Sequence, residues 1–256
     1  MLPESVVKKI LITQPRPESD KSPYFELARR HEVEMAFMPF ITLEGIPSKD
    51  FRRQKVDIGL FSAVIFTSRH AIDHFFRTAE EMKINISQDT KYFCISEAVA
   101  LYLQKFILYR KRKVFYGADG TNKNMVEVIN KHKENEKLLY PTSENQQDNE
   151  IVTWLKNNKC EYATPYMYRT ISRDIREIFT KETFDIICFF TPSGVKSLYD
   201  NFPHFQQNGT LIGAFGTNTT RAAEEAGLVL EIRAPEPSAP SMVSALEKYL
   251  NAMKKR

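Results

Sequence analysis

Glycine is scarce in this chain, with nine among 256 residues. Neither GxGxxG nor GxxxxGK(S/T) occurs, so the glycine-rich turns that let a backbone close around nucleotide phosphates are missing. Cysteine is scarcer still. Cys94, Cys160 and Cys188 are odd in number and far apart, and Cys94 and Cys188 fall inside apolar strand patterns. That argues against a disulfide framework and predicts buried, reduced thiols in a cytoplasmic protein. No apolar run approaches the roughly 20 residues of a membrane span, so no membrane association is expected. The opening stretch MLPESVVKKI lacks the apolar core of a signal peptide. Only five histidines occur. His70 and His74 have a ligand-like spacing, but no HExxH glutamate accompanies them and no third ligand is evident, so no metal is expected. The net charge of +4 suits an acidic partner and is too small to argue for nucleic acid. The densest charge run, YRKRK (109–113), precedes a strand and reads as a solvated entry rather than a nucleic-acid patch. NQQDN (145–149) reads as a polar helix entry.

What the chain does have is alternation. Short apolar runs such as KKILITQ (8–14), AVIFTS (63–68), KYFCIS (91–96), FDIICFF (184–190) and TLIGAFG (210–216) are each followed by an amphipathic, helix-period stretch. This pattern predicts parallel sheets flanked by helices, the α/β class. The units also repeat. AVIFTSRHAI (63–72) returns as ICFFTPSGV (187–195), CISEAVALYL (94–103) as AFGTNTTRAA (214–223), and ILITQPRP (10–17) as KLLYPTSE (137–144). Thr67 and Thr191, equivalent in the first pair, lie 124 residues apart. A period this long is no solenoid; it means two similar α/β domains. The order of the units implies that one domain is inserted into the other. Residues 1–36 and 171–256 would form the discontinuous domain and 42–163 the inserted one. MPFIT (38–42) and PYMYRT (165–170), marking linkers at 37–41 and 164–170, would carry the chain across and pair as a two-strand ribbon.

In open parallel sheets ligands bind beyond the carboxyl ends of the strands. The polar clusters of this sequence stand there, each just before a helix whose free N–H groups and dipole favour anions. Thr67, Ser68 and Arg69 follow one strand, Ser96 the next, Thr191, Ser193 and Gly194 a third, and Asn218 and Thr219 a fourth. Arg16 is held between two prolines near the end of the first strand. These residues are the candidate substrate contacts. The hydroxyls also read as helix caps, Ser68 and Ser193 being the best cap candidates, and the two roles are compatible. Gly194 would let a ligand approach closely. The set is rich in donors and poor in carboxylates and histidines, which suits a polyanionic ligand rather than a hydrolytic site.

Taken in order, these segments resemble the uroporphyrinogen-III synthase family over almost the whole chain. ILITQP is similar to the family's opening strand, and AVIFTSRHAI to its strand ending in F-T-S. PYMYRT resembles its V-Y-x-T linker, CFFTPSGVKSLY its second F-(T/S)-(P/S)-S segment, and AFGTNTTRAAEEAGL its I-G-x-T-T-A segment. SAPSMVSALEKYL resembles its terminal helix. Ser96 and Val99 stand where the family has glycine and threonine, and Asn218 replaces one threonine. The resemblance implies an enzyme without cofactor that cyclises hydroxymethylbilane, a linear tetrapyrrole with eight carboxylates, inverting the last pyrrole ring and losing water. It makes Tyr168 the catalytic candidate, a proton donor to the leaving hydroxyl; a monomer is expected. Tyr166, at alternating spacing, would face the same way as Tyr168. The alternative is a non-catalytic tetrapyrrole- or anion-binding protein on the same scaffold.

Overall fold

The computed structural model describes residues 7–144 and 150–254. NQQDN (145–149) lies outside them. From the amino end the elements are β1 (Lys9–Ile12), α1 (Pro23–His31), β2 (Glu34–Phe37), β3 (Ile41–Gly45), α2 (Ser48–Arg53), β4 (Ala63–Phe66), α3 (Arg69–Glu81), β5 (Lys91–Cys94) and α4 (Glu97–Tyr102). Next come β6 (Val114–Tyr116), α5 (Asn122–His132), β7 (Leu138–Leu139), β8 (Thr142–Ser143), α6 (Glu150–Asn157), β9 (Tyr162–Ala163), β10 (Tyr166–Ser172) and α7 (Arg176–Lys181). β11 (Ile186–Phe189), α8 (Pro192–Asn201), β12 (Leu211–Phe215), α9 (Thr217–Glu225), β13 (Leu230–Ala234) and α10 (Met242–Met253) complete the chain.

Two compact units result, one joining Met1–Thr42 to Ile171–Arg256 and the other spanning Leu43–Thr170. The first holds a five-stranded sheet of order β13-β12-β11-β1-β2, the second one of order β6-β5-β4-β7-β9. Every pairing in both is parallel. The two orders superimpose, and the repeated segments occupy equivalent places: β4 matches β11, β5 matches β12, and β7 matches β1.

The strands read as unbroken apolar runs because both faces of each sheet are covered. In the second unit Val64, Phe66, Tyr92 and Cys94 face Ile72, Phe75 and Val99 of α3 and α4. Ala63, Ile65 and Phe93, one residue out of phase, face Met125, Ile129, Ile151 and Leu155 of α5 and α6. The first unit repeats the scheme. Ile10, Ile12 and Cys188 pack on α1 and α10, and Leu11, Ile187 and Phe189 on α8 and α9. Burial pushes the thiols of Cys94 and Cys188 well above the ordinary range. α9 ends as the sequence predicts: Gly227 takes φ 82°, its N–H reaching Glu224 O and that of Leu228 reaching Ala223 O. This is the Schellman closure that favours glycine.

The chain crosses between the units in β3 and β10, which are neighbours in a three-stranded sheet of order β3-β10-β8. The crossings fall after Thr42 and after Thr170 rather than within 37–41 and 164–170. Phe37 still belongs to β2, and Phe40 is fully buried, edge-on to Phe189 at 5.8 Å. Phe40 of MPFIT, with Met38 packed against the same cluster, therefore serves the first unit's core. The sequence pattern misses α2 and α7, each six residues long, because they bury Phe51 alone and nothing, respectively, and so carry no apolar period.

His31, at the end of α1, is buried, and neither ring nitrogen has a partner among the described residues. Burial, followed by the charges of Lys254 and Arg30 and opposed by Glu247, holds its pKa below the usual 6.5. The folded state thus prefers the neutral ring. Its contribution to stability is complete above pH 6.5 and is lost as the pH falls through the lowered pKa. We expect His31→Leu to shrink the drop in melting temperature between pH 7 and pH 5, measured by circular dichroism.

Candidate active site

The second unit assembles its polar centre at the carboxyl end of β4. Phe66 is the last buried strand residue, Thr67 is half-buried, and Ser68 turns the chain into α3. Ser68 sits at φ −157°, ψ 161°, and its Oγ accepts the N–H of Ala71 at 3.1 Å. This is the cap expected of a hydroxyl before a helix. Arg69 is exposed, its guanidinium 5.4 Å over the Tyr102 ring, while the Tyr102 hydroxyl donates to Asp73 at 2.8 Å.

Tyr168 enters this centre from β10. It is 9% exposed, stacks on His74 with ring centroids 5.1 Å apart, and lies close enough to Ser68 for that hydroxyl to act on its pKa. Burial raises its pKa above the usual 10, the Ser68 hydroxyl opposes that rise, and Tyr140 adds to it. The phenol is therefore protonated throughout the neutral range. Tyr166 does not share its face. It is 44% exposed, and the register of β10 against β8 shifts between Tyr166 and Tyr168. A bulge breaks the two-residue alternation on which the sequence expectation rested. Tyr166 is tied instead through its backbone: its N–H reaches Gln54 Oε1 at 2.8 Å, and Gln54 Nε2 returns to its carbonyl at 2.8 Å.

Two further residues complete the centre: His74, which sequence spacing singled out only as a candidate metal ligand, and Arg77, which it did not single out. His74 has a pKa lowered by burial, then by Arg77 and His70, with Asp73 opposing. It is a neutral ring at pH 7, and its Nδ1 accepts the Nε–H of Arg77 at 3.4 Å. Arg77 also donates to the carbonyls of Ile46 at 2.9 Å and Met167 at 3.3 Å, and to Glu81 at 2.6 Å. Met167 precedes Tyr168, so Arg77 holds the strand that presents the phenol. The i, i+3 spacing of His74 and Arg77 on α3 was legible, but their partners in β10 lie about ninety positions further on. Among the described residues no group of three or more histidines, cysteines or acids is placed to hold a metal. We expect Arg77→Met to cost about 2 kcal/mol in urea unfolding, because it strands the Ile46 carbonyl and leaves the Met167 carbonyl with only the N–H of Ile46.

At the next strand end, Ser96 is the half-buried cap residue of α4 and makes no side-chain cap bond among the described residues. Glu97 beside it accepts from the Tyr116 hydroxyl at 3.2 Å.

The first unit arranges its candidates differently from expectation. Thr191, not Ser193, caps α8, its Oγ1 accepting the N–H of Gly194 at 3.0 Å. Pro192 decides this: its fixed φ and missing N–H suit the first helical position, which puts the cap one residue earlier. Ser193 is half-buried in the first turn. Gly194 is buried with its N–H committed to the cap, and a Cβ there would point at Thr191, Phe189 and Thr13, 3.4–3.9 Å away. It faces its own sheet rather than a ligand. α9 starts from Gly216, at φ 87° with no side-chain cap, so neither Asn218 nor Thr219 caps it. Asn218 is exposed and Thr219 is 3% exposed. Arg16 is exposed and stacks 4.9 Å over Phe25.

Paired five-stranded parallel sheets of the same order, with helix starts and hydroxyls at their carboxyl ends and a buried tyrosine on a crossing strand, define a two-unit α/β enzyme. The profile of the family described as uroporphyrinogen-III synthase HemD matches residues 22–244, and the chain belongs to that family. Its activity is the family's: closure of hydroxymethylbilane to uroporphyrinogen III in heme biosynthesis, with a tetrapyrrole as substrate. No curated protein matches the chain. Among solved structures it is similar to a uroporphyrinogen-III synthetase from Helicobacter pylori. That match has 18% identity and a TM-score of 0.59 over 96% of this chain and 99% of the other. A mutant uroporphyrinogen III synthase from the extremely thermophilic bacterium Thermus thermophilus matches at 14% identity and a TM-score of 0.50, over 97% and 100% of the two chains. At these identities the likeness concerns the fold.

Proposed function

We propose that the leaving hydroxyl of hydroxymethylbilane is protonated by Tyr168, and that the helix starts after β4, β11 and β12, with Ser96 after β5, take the substrate's carboxylates. The observation that carries this reading is the buried Tyr168 phenol, stacked on His74 and beside Ser68 at the carboxyl end of β4. A phenol kept neutral by burial enters as a donor. As its proton passes to the departing hydroxyl, water leaves, an electron-poor azafulvenium cation remains on the bilane, and the Ser68 hydroxyl stabilises the phenolate left behind. Attack through a spiro intermediate closes the inverted ring. Restoring the pyrrole releases a proton, which returns to the phenolate, so the cycle ends with one water lost and the tyrosine neutral.

Such a reaction needs no strong nucleophile. The bilane closes unaided to the uninverted isomer, and the protein must hold the chain so that inversion wins. The carboxylate contacts are assigned to the free N–H groups of the first turns of α3, α8 and α9, with Thr67, Ser68, Arg69, Ser96, Ser193 and Asn218 beside them. The capping hydroxyls of Ser68 and Thr191 each satisfy one amide and leave others free. Arg16, already stacked on Phe25, can supply a charge from the end of β1. A reducing, cytoplasmic setting and a monomeric enzyme go with this reading, the first supported by the buried free thiols and by the lack of a membrane-crossing helix among the described residues.

The test is direct. Purified protein is supplied with hydroxymethylbilane, and the type I and type III products are separated after oxidation. Type III in excess is the expected outcome. Type I alone, at the spontaneous rate, would leave the chain as a binding protein.

A further inference from the structure

The second unit contains a cavity of about 470 Å³ that the chemistry above does not use. It opens at the amino ends of β5 and β6, where Thr90, Tyr92, Lys113 and Val114 line it. Tyr168 and Ser68 stand at the opposite, carboxyl side of that sheet. The cavity's floor is aromatic and aliphatic. Phe76 and Phe106 stack in parallel with centroids 4.7 Å apart, and Ile84, Ile86 and Ile107 flank them. Leu108, at its edge, is 77% exposed, and Phe106 is 39% exposed. Apolar surface of this kind costs free energy in water and is recovered by a ligand that covers it.

The rim is charged. Arg110 and Lys113 line it, continued in sequence by Lys111 and Arg112. Arg110 donates to the neutral amide oxygen of Gln88 at 3.1 Å and makes no ion pair among the described residues. Lys113 pairs with Asp89, itself largely exposed, at 3.3 Å. One carboxylate, Glu80, lines the cavity against these two cations. The basic run that sequence reading leaves as a solvated strand entry is thus half of a two-part surface, whose other half is an aromatic floor.

We propose that this cavity is a second ligand site, taking a small amphipathic monoanion: an aromatic or medium-chain acyl carboxylate whose charge meets the Arg110 guanidinium and whose body lies on Phe76 and Phe106. The guanidinium fork suits a carboxylate, and the volume fits a ligand of that size. The two positive groups select against a neutral alcohol of the same shape.

The probe is 8-anilinonaphthalene-1-sulfonate, an aromatic monoanion whose fluorescence rises on apolar burial. Titrated into the native protein, it should bind saturably at one site per chain and be displaced by octanoate but not by 1-octanol. Arg110→Gln should weaken the site about tenfold, the loss expected for a charge-assisted contact. Ile86→Trp should fill the cavity and abolish binding. Both variants should retain wild-type production of the type III isomer, because neither residue belongs to the catalytic centre. If Ile86→Trp does not fold, Arg110→Gln and the octanoate–octanol comparison decide. Non-saturable fluorescence, binding indifferent to Arg110→Gln, or equal displacement by the alcohol would overturn the proposal. So would co-sedimentation with phosphatidylglycerol vesicles in the absence of saturable dye binding, which would make this face a lipid-contacting surface.

Discussion

Tyr168→Phe is expected to slow formation of the type III isomer about a hundredfold, the lower range for loss of a positioned proton donor, while the type I isomer continues to form. The variant removes one oxygen from a ring that keeps its stack on His74 and its place in β10. Folding should be intact, and the melting temperature should change little. Tyr166→Phe, at an exposed ring beyond the bulge, serves as the matched control and should leave turnover unchanged. The pH profile separates a proton donor from a merely structural ring. Burial raises the Tyr168 pKa above 10, so type III formation in the wild type should decline only where the solution is more alkaline than an ordinary tyrosine would require. That alkaline limb should vanish in the variant. Wild-type turnover by Tyr168→Phe would remove this residue from the mechanism.

The second large effect concerns stability. Phe66→Ala is expected to cost about 3–5 kcal/mol, the range for deleting a fully buried phenylalanine ring. Phe66 has no exposed surface and closes β4 directly before Thr67 and Ser68. Its ring meets Phe75 edge-on at 5.4 Å and lies parallel to Tyr92 at 6.2 Å. Removing it leaves a cavity between the sheet and α3, the helix that carries both the Ser68 cap and His74. The loss is a large part of the margin of a typical domain, so urea unfolding should show a strongly lowered midpoint. Where the variant remains folded at low temperature, the ratio of type III to type I should fall as well, because the strand end that positions Ser68 loosens. An unfolding midpoint within the error of the wild type would mean that the ring is not the wedge described here.

Much of this architecture could be read without coordinates, because local signals and global fold agree. The alternation of β-branched runs with helical stretches fixes the class. The recurrence of AVIFTS as CFFTPS reveals two equivalent units, which the matching sheet orders bear out. Pattern reading failed where a residue's role depends on something far along the chain. Phe40 looked like part of a linker because its ring's partners, Phe179 and Phe189, lie some 140 positions away. Tyr166 looked equivalent to Tyr168 because a bulge is set by the pairing of two strands, not by one of them. Ser193 looked like a cap because the cap position depends on where Pro192 falls in the first turn.

The α/β class, the internal duplication and the polar residues at the strand ends were already written in the order of the amino acids, since each follows from periodicity, composition or residues close together in the chain; Tyr168 was singled out by the family resemblance. It took the folded chain to settle that Ser68, His74 and Arg77 gather around Tyr168, that Gly194 and Thr219 turn inward, and that YRKRK borders an aromatic cavity. Those outcomes are contacts between segments distant in the chain, and no local preference encodes which of two distant surfaces will meet.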